Sequence, residues 1–110
     1  FPTPDRERQI VGARVPDIAE DLLKQLVAFV QSLREEDIKK RPSISETVDW
    51  ARTLILMHAD TLDEGLVRDT LNVLLKHESD IQSVDRHLAK LTRKARDTGE
   101  GRIASGYPDL

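Results

Sequence analysis

The sequence predicts an all-α protein: a compact antiparallel bundle of four main helices with a short N-terminal helix leading in. Three observations carry this reading. Apolar residues recur at steps of three and four along separate stretches, which is the helical period. Ser or Thr followed three residues later by Glu or Gln precedes several of these stretches, which is the spacing of a helix-start capping box. No run of Val, Ile, Thr and aromatics alternates as a strand would. The connections are short, so consecutive helices are expected to pack roughly antiparallel.

Taken in order, Phe1-Pro2-Thr3-Pro4 reads as an extended lead-in, with Thr3 able to cap and Pro4 suited to the first helical position. A short helix is predicted over about 5–11, with Gly12 as its stop. Pro16-Asp17 opens the second helix, whose stripe is Ile18, Leu22, Leu26, Phe29, Val30 and Leu33. Arg34-Glu35-Glu36-Asp37 and Lys39-Lys40-Arg41 then form a charged tail and loop before Pro42. The third helix is predicted from 43 to about 58. Ser43 and Glu46 make its capping box, and Ile44, Val48, Ala51, Leu54 and Ile55 make its apolar face. Two caps compete for the fourth helix, Thr61 with Glu64 at box spacing and Asp63. Its stripe is Leu66, Val67, Thr70, Leu71, Leu74 and Leu75. Ser79 with Gln82 starts the fifth, which carries Ile81, Val84, Leu88, Leu91 and Ala95. The periodicity stops after Asp97, so 1–97 is expected to be the helical domain and 98–110 a flexible tail. Leu22, Leu26, Val30, Val48, Leu54, Leu71, Leu74, Val84 and Leu88 are expected to share one core. Trp50 falls beside the main stripe, where it either fills the core or meets another domain.

Composition narrows the function classes. The 110 residues suit one domain, and the 20 acidic and 17 basic side chains give a formal net charge of −3. Acids and bases alternate along the chain, which argues against a nucleic-acid module. There is no cysteine, hence no disulfide framework or thiol chemistry. No apolar run approaches the ~20 residues of a membrane span. The start has neither the basic nor the apolar region of a signal peptide and lacks an initiator Met. The expectation is a cytoplasmic chain cut from a larger protein. No G-x-x-x-x-G-K-[ST] phosphate cradle is present. His58, His77 and His87 are not spaced at i, i+4, so no metal site is expected. Glu35-Glu36 and Asp60-Asp63 lie in connections and read as solvated charges. One candidate anion site remains: the start of the third helix, with Arg41 beside it. The residues describe a binding or regulatory domain rather than a complete enzyme.

Several stretches resemble the lid domain of MoxR-type AAA+ ATPases. Phe1-Pro2-Thr3-Pro4-Asp5-Arg6-Glu7-Arg8-Gln9-Ile10 looks like the opening of that lid. Pro42-Ser43-Ile44-Ser45-Glu46-Thr47-Val48-Asp49-Trp50-Ala51-Arg52-Thr53-Leu54 is similar to the central lid helix of one branch. Leu62-Asp63-Glu64-Gly65-Leu66-Val67-Arg68-Asp69-Thr70-Leu71 and Leu74-Leu75-Lys76-His77-Glu78-Ser79-Asp80-Ile81 resemble the two segments after it. The likeness spans residues 1–88; the Pro-Ser-Ile-Ser-Glu-Thr run with Asp49-Trp50 is its most specific part. It implies a C-terminal lid that folds over ATP and Mg²⁺ held by a separate P-loop core, with neither bound by the fragment alone. Arg41 is then the candidate for the sensor-2 arginine; its alternative is a solvated charge of the Lys39-Lys40-Arg41 cluster. The family resemblance further implies a ring in which lids contact neighbouring subunits and a von Willebrand factor A domain partner. It also implies chaperone-like maturation of a target complex, as in molybdenum-containing carbon monoxide dehydrogenase. The alternative is a free-standing helical adaptor that binds a partner helix in a groove without nucleotide.

Overall fold

Residues 1–98 are described by a computed structural model, and among them lie six α-helices and no strand. They are α1 (Pro4–Arg14), α2 (Glu20–Leu33), α3 (Ile44–Leu56), α4 (Glu64–Leu74), α5 (Glu78–Asp85) and α6 (Leu88–Arg96). The all-α class and bundle architecture are as the sequence predicts, with six helices in place of five. The expected C-terminal tail falls, from residue 99 on, outside the described residues.

Helix α2 is the spine; α1, α3 and α6 all pack on it, and α4 lies against α3 and α6. All nine expected core residues are buried, together with Val11, Phe29, Leu33 and Leu62. Trp50 is fully buried, which settles its place as core. Its ring lies 5.3 Å from that of Phe29, tilted by 44°. Its Nε1 donates to Thr70 Oγ1 at 2.8 Å, and that hydroxyl sits 2.9 Å from the Leu66 carbonyl. The indole thus packs without leaving its polar handle unsatisfied.

The differences from the predicted elements have local causes. Helix α1 does not stop at Gly12 but runs through it to Arg14. A Cβ at Gly12 would stand 3.3 Å from Leu23 Cδ2, so the glycine serves close approach of α1 to α2 rather than termination. Helix α2 begins at Glu20, after a turn over 16–18, without a side-chain cap. Helix α3 ends at Leu56, short of the expected 58. There the Ala59 N–H bonds the Leu54 carbonyl and the His58 N–H bonds the Ile55 carbonyl, the paired bonds of a Schellman ending. His58 takes the left-handed position, with φ of 57°. Of the competing caps of α4, Asp63 wins, accepting from the Leu66 N–H at 2.8 Å. Thr61 instead donates its hydroxyl to Gln25 Oε1 at 2.8 Å. The predicted fifth helix is divided at Arg86 and His87. The buried stripe Val84, Leu88, Leu91 and Ala95 continues across the break, with α5 on α4 and α6 laid along α2 and α4. Among the described residues, no helix is long and apolar enough to cross a membrane.

Candidate functional site

The connection between α2 and α3 carries the Arg41 candidate, and it is far more ordered than a solvated charged loop. Arg34, placed by the sequence in a charged tail, is buried against the carboxylate of Glu7 on α1, which is itself fully buried. The pair is bidentate: Arg34 Nη1 donates to Glu7 Oε1 at 2.7 Å and Nη2 to Oε2 at 2.8 Å. Gln31 Nε2 donates to Oε1 at 2.5 Å, and the Thr47 hydroxyl donates to Oε2 at 3.0 Å. The remaining Arg34 donor, Nε, reaches the Pro42 carbonyl at 2.9 Å. Phe1 covers the guanidinium, with Cζ 4.3 Å from the ring centroid. Burying both charges is tolerable here because both carboxylate oxygens and all three guanidinium nitrogens have partners.

A second buried carboxylate holds the middle of the connection. Asp80 on α5 accepts the Lys39 N–H at 2.8 Å and the Lys40 N–H at 3.1 Å. Burial alone pushes this carboxyl up. The two backbone donors, with the nearby His77 and Lys39 charges, outweigh it and hold it below the ordinary carboxylate range. In the first half of α2, fully buried Gln25 accepts from the Leu62 N–H at 2.9 Å and ties the α3–α4 connection to that helix.

Arg41 stands on the surface at the end of this pinned segment. Its Nε donates to the Arg34 carbonyl at 2.5 Å, which fixes its stem beside the start of α3. The helix start has its own partners. Ser43 Oγ accepts the Glu46 N–H at 3.2 Å, and Glu46 Oε1 accepts the Ser43 N–H at 2.9 Å, a complete capping box. Glu46 Oε2 lies 3.8 Å from Lys76 Nζ. An anion arriving here therefore meets the Arg41 guanidinium beside the Glu46 carboxylate, with the Glu46 and Ser43 N–H groups already taken. The structure brings Arg41, Arg34, Glu7, Pro42 and Thr47 into one block, and leaves His58 at the far end of α3.

Glu7, Arg34 and Asp80 were not visible as a unit in the sequence. One signal was there: Glu7 lies four residues before Val11 and eight before Val15, on the face that α1 buries. A carboxylate on an apolar face calls for a buried cation, but nothing local says that the cation is Arg34.

Comparison of the chain with protein-family models, with curated proteins and with solved structures finds no match.

Proposed function

We propose that the chain is the C-terminal lid domain of a MoxR-type AAA+ ATPase. In this reading it closes over ATP and Mg²⁺ bound by a P-loop core, and couples hydrolysis to chaperone-like maturation of a target metalloprotein complex. The supporting observation is the block around Arg34. The two stretches with the clearest likeness, 1–10 and 42–54, are far apart in sequence yet meet through Glu7, Arg34 and Thr47. Arg41 projects from that block, one residue before the buried Pro42 and two before the α3 cap. In this reading Arg41 is the sensor-2 residue, and it acts beside a helix start whose capping box already takes the Ser43 and Glu46 N–H groups. The core domain, neighbouring ring subunits and a von Willebrand factor A domain protein are its partners, in the cytoplasm.

The energetics make the chain alone a poor nucleotide binder. One charge-assisted contact contributes about 1.5–3 kcal/mol, against ~8 kcal/mol for a micromolar site. A second reading, an adaptor without nucleotide, has its own observation. Leu56 is 78% exposed and Met57 47%, beside a cleft lined by Val15, Pro16 and Ile55 with Arg14 and Arg52 at its rim. ATP hydrolysis separates the two. The lid reading expects no turnover by the isolated chain and turnover by the whole gene product carrying it, with a P-loop encoded upstream. A gene whose initiator Met directly precedes Phe1, or reproducible hydrolysis by the purified chain itself, refutes it.

A further inference from the structure

The connection between α2 and α3 is held from several sides, and one of these holds is made at the expense of its own helix. Asp80 is the third residue of α5, the position from which an acid can reach back to cap the helix start. It does not do so, and the start of α5 has no side-chain cap. Both carboxylate oxygens go instead to consecutive backbone amides far back in the chain. Oδ1 accepts the Lys39 N–H at 2.8 Å and Oδ2 the Lys40 N–H at 3.1 Å. Helix α5 buries two side chains, Asp80 and Val84, so half of what it turns inward is this carboxylate. The residue after the clamped amides is Arg41, which is exposed and is followed by buried Pro42. Arg41 Nε is bonded to the Arg34 carbonyl, while its two terminal nitrogens form no hydrogen bond among the described residues. The guanidinium thus turns its outer edge to an incoming group from a backbone that Asp80 holds.

We propose that Asp80 is a positioning residue for Arg41. It holds the α2–α3 connection so that the guanidinium meets the nucleotide phosphates when the lid closes. An Arg on a free loop must have both its backbone and its side chain ordered at each encounter with an anion. Here the backbone part of that ordering is already made in the fold, which leaves more of the contact for the reacting state. The proposal rests on the lid reading. It adds that α5, which carries no other residue of the candidate site, is tied to the nucleotide through the Lys39 and Lys40 amides.

The test uses the whole gene product. Steady-state ATP hydrolysis and nucleotide binding are measured for wild type, Asp80→Asn, Arg41→Ala and the double variant. Asn keeps the size of Asp and one acceptor oxygen, but sets an NH2 group against the other backbone N–H. Asp80→Asn should lower kcat by about threefold or more, with a smaller loss of affinity, and should add nothing once Arg41 is Ala. A carboxylate that served the fold alone would lower turnover equally in both backgrounds. Hydrogen exchange gives a second readout that does not need the Asp80 variant to fold. The Lys39 and Lys40 amides should gain protection when a non-hydrolysable ATP analogue binds, and Arg41→Ala should abolish that gain, because coupling between two sites is reciprocal. Three results overturn the positioning role and leave the lid reading intact, provided Arg41→Ala itself is impaired. They are wild-type turnover in Asp80→Asn, equal losses in both Arg41 backgrounds, and amide protection indifferent to the analogue or to Arg41. Arg41→Ala with wild-type turnover and affinity overturns the lid role of Arg41 and the proposal together.

Discussion

Removing Glu7 should damage this protein more than removing almost any surface charge, because it strands Arg34. In Glu7→Leu the Arg34 guanidinium keeps its bond to the Pro42 carbonyl and the Phe1 ring but loses both carboxylate bonds while remaining buried. Breaking a buried pair in this way costs about 3–5 kcal/mol. A domain of this size holds ~5–15 kcal/mol in total, so the loss is roughly a fifth or more of its stability. Arg34→Met strands Glu7 with only Gln31 and Thr47 as donors and should cost a similar amount. The double variant Glu7→Leu/Arg34→Met removes both charges and should be more stable than either single variant. Urea unfolding followed by Trp50 fluorescence measures all four proteins, since the indole is fully buried against Phe29 and its emission should report loss of the core. With m of ~1–3 kcal/mol per molar, each single variant should lower the midpoint by on the order of 2 M. A single variant costing under about 1 kcal/mol would refute the reasoning. A double variant whose loss equals the sum of the two singles would also refute it, since the cycle would then show no coupling.

Three further outcomes follow from the same structure. The folded Asp80 carboxyl lies below its ordinary value, so its contribution is complete above about pH 4 and is lost as pH falls through the lower folded value; the difference between wild type and Asp80→Asn in urea midpoint should shrink on acidification and be flat at neutral pH. His58→Gly relieves a non-glycine residue at φ of 57° and should raise stability by roughly 1 kcal/mol, read by the same unfolding assay. The Thr92 hydroxyl is buried without a hydrogen-bond partner among the described residues, so Thr92→Val should raise the midpoint, by about 1 kcal/mol in stability, where loss of a satisfied hydroxyl would lower it.

The fold was legible where its causes are local. Thr3 and Ser43 cap as their spacing indicates, and the stripe from Leu22 to Leu33 is buried as its period requires. The illegible parts depend on distant partners. Gly12 looked like a stop because a glycine that ends a helix and one that admits Leu23 are identical in sequence. Thr61 looked like a cap because nothing nearby reveals that Gln25 takes its hydroxyl. Arg34 read only as part of a charged tail because Glu7 stands 27 residues away. The break at His87 leaves the apolar step pattern intact, so periodicity alone cannot register it. For the candidate site, the position of Arg41 at the start of α3 could be read in advance. Its anchorage to the Arg34 carbonyl, and the closure of the helix start by Glu46, could not.

The lid reading stands most directly on Arg41, tested by steady-state ATP hydrolysis and nucleotide binding of the whole gene product, wild type against Arg41→Ala. A sensor-2 arginine adds its charge in the closed, reacting state, so kcat should fall by more than affinity for nucleotide does. Turnover and affinity both at wild-type levels would contradict that role and leave Arg41 a surface charge beside a capped helix.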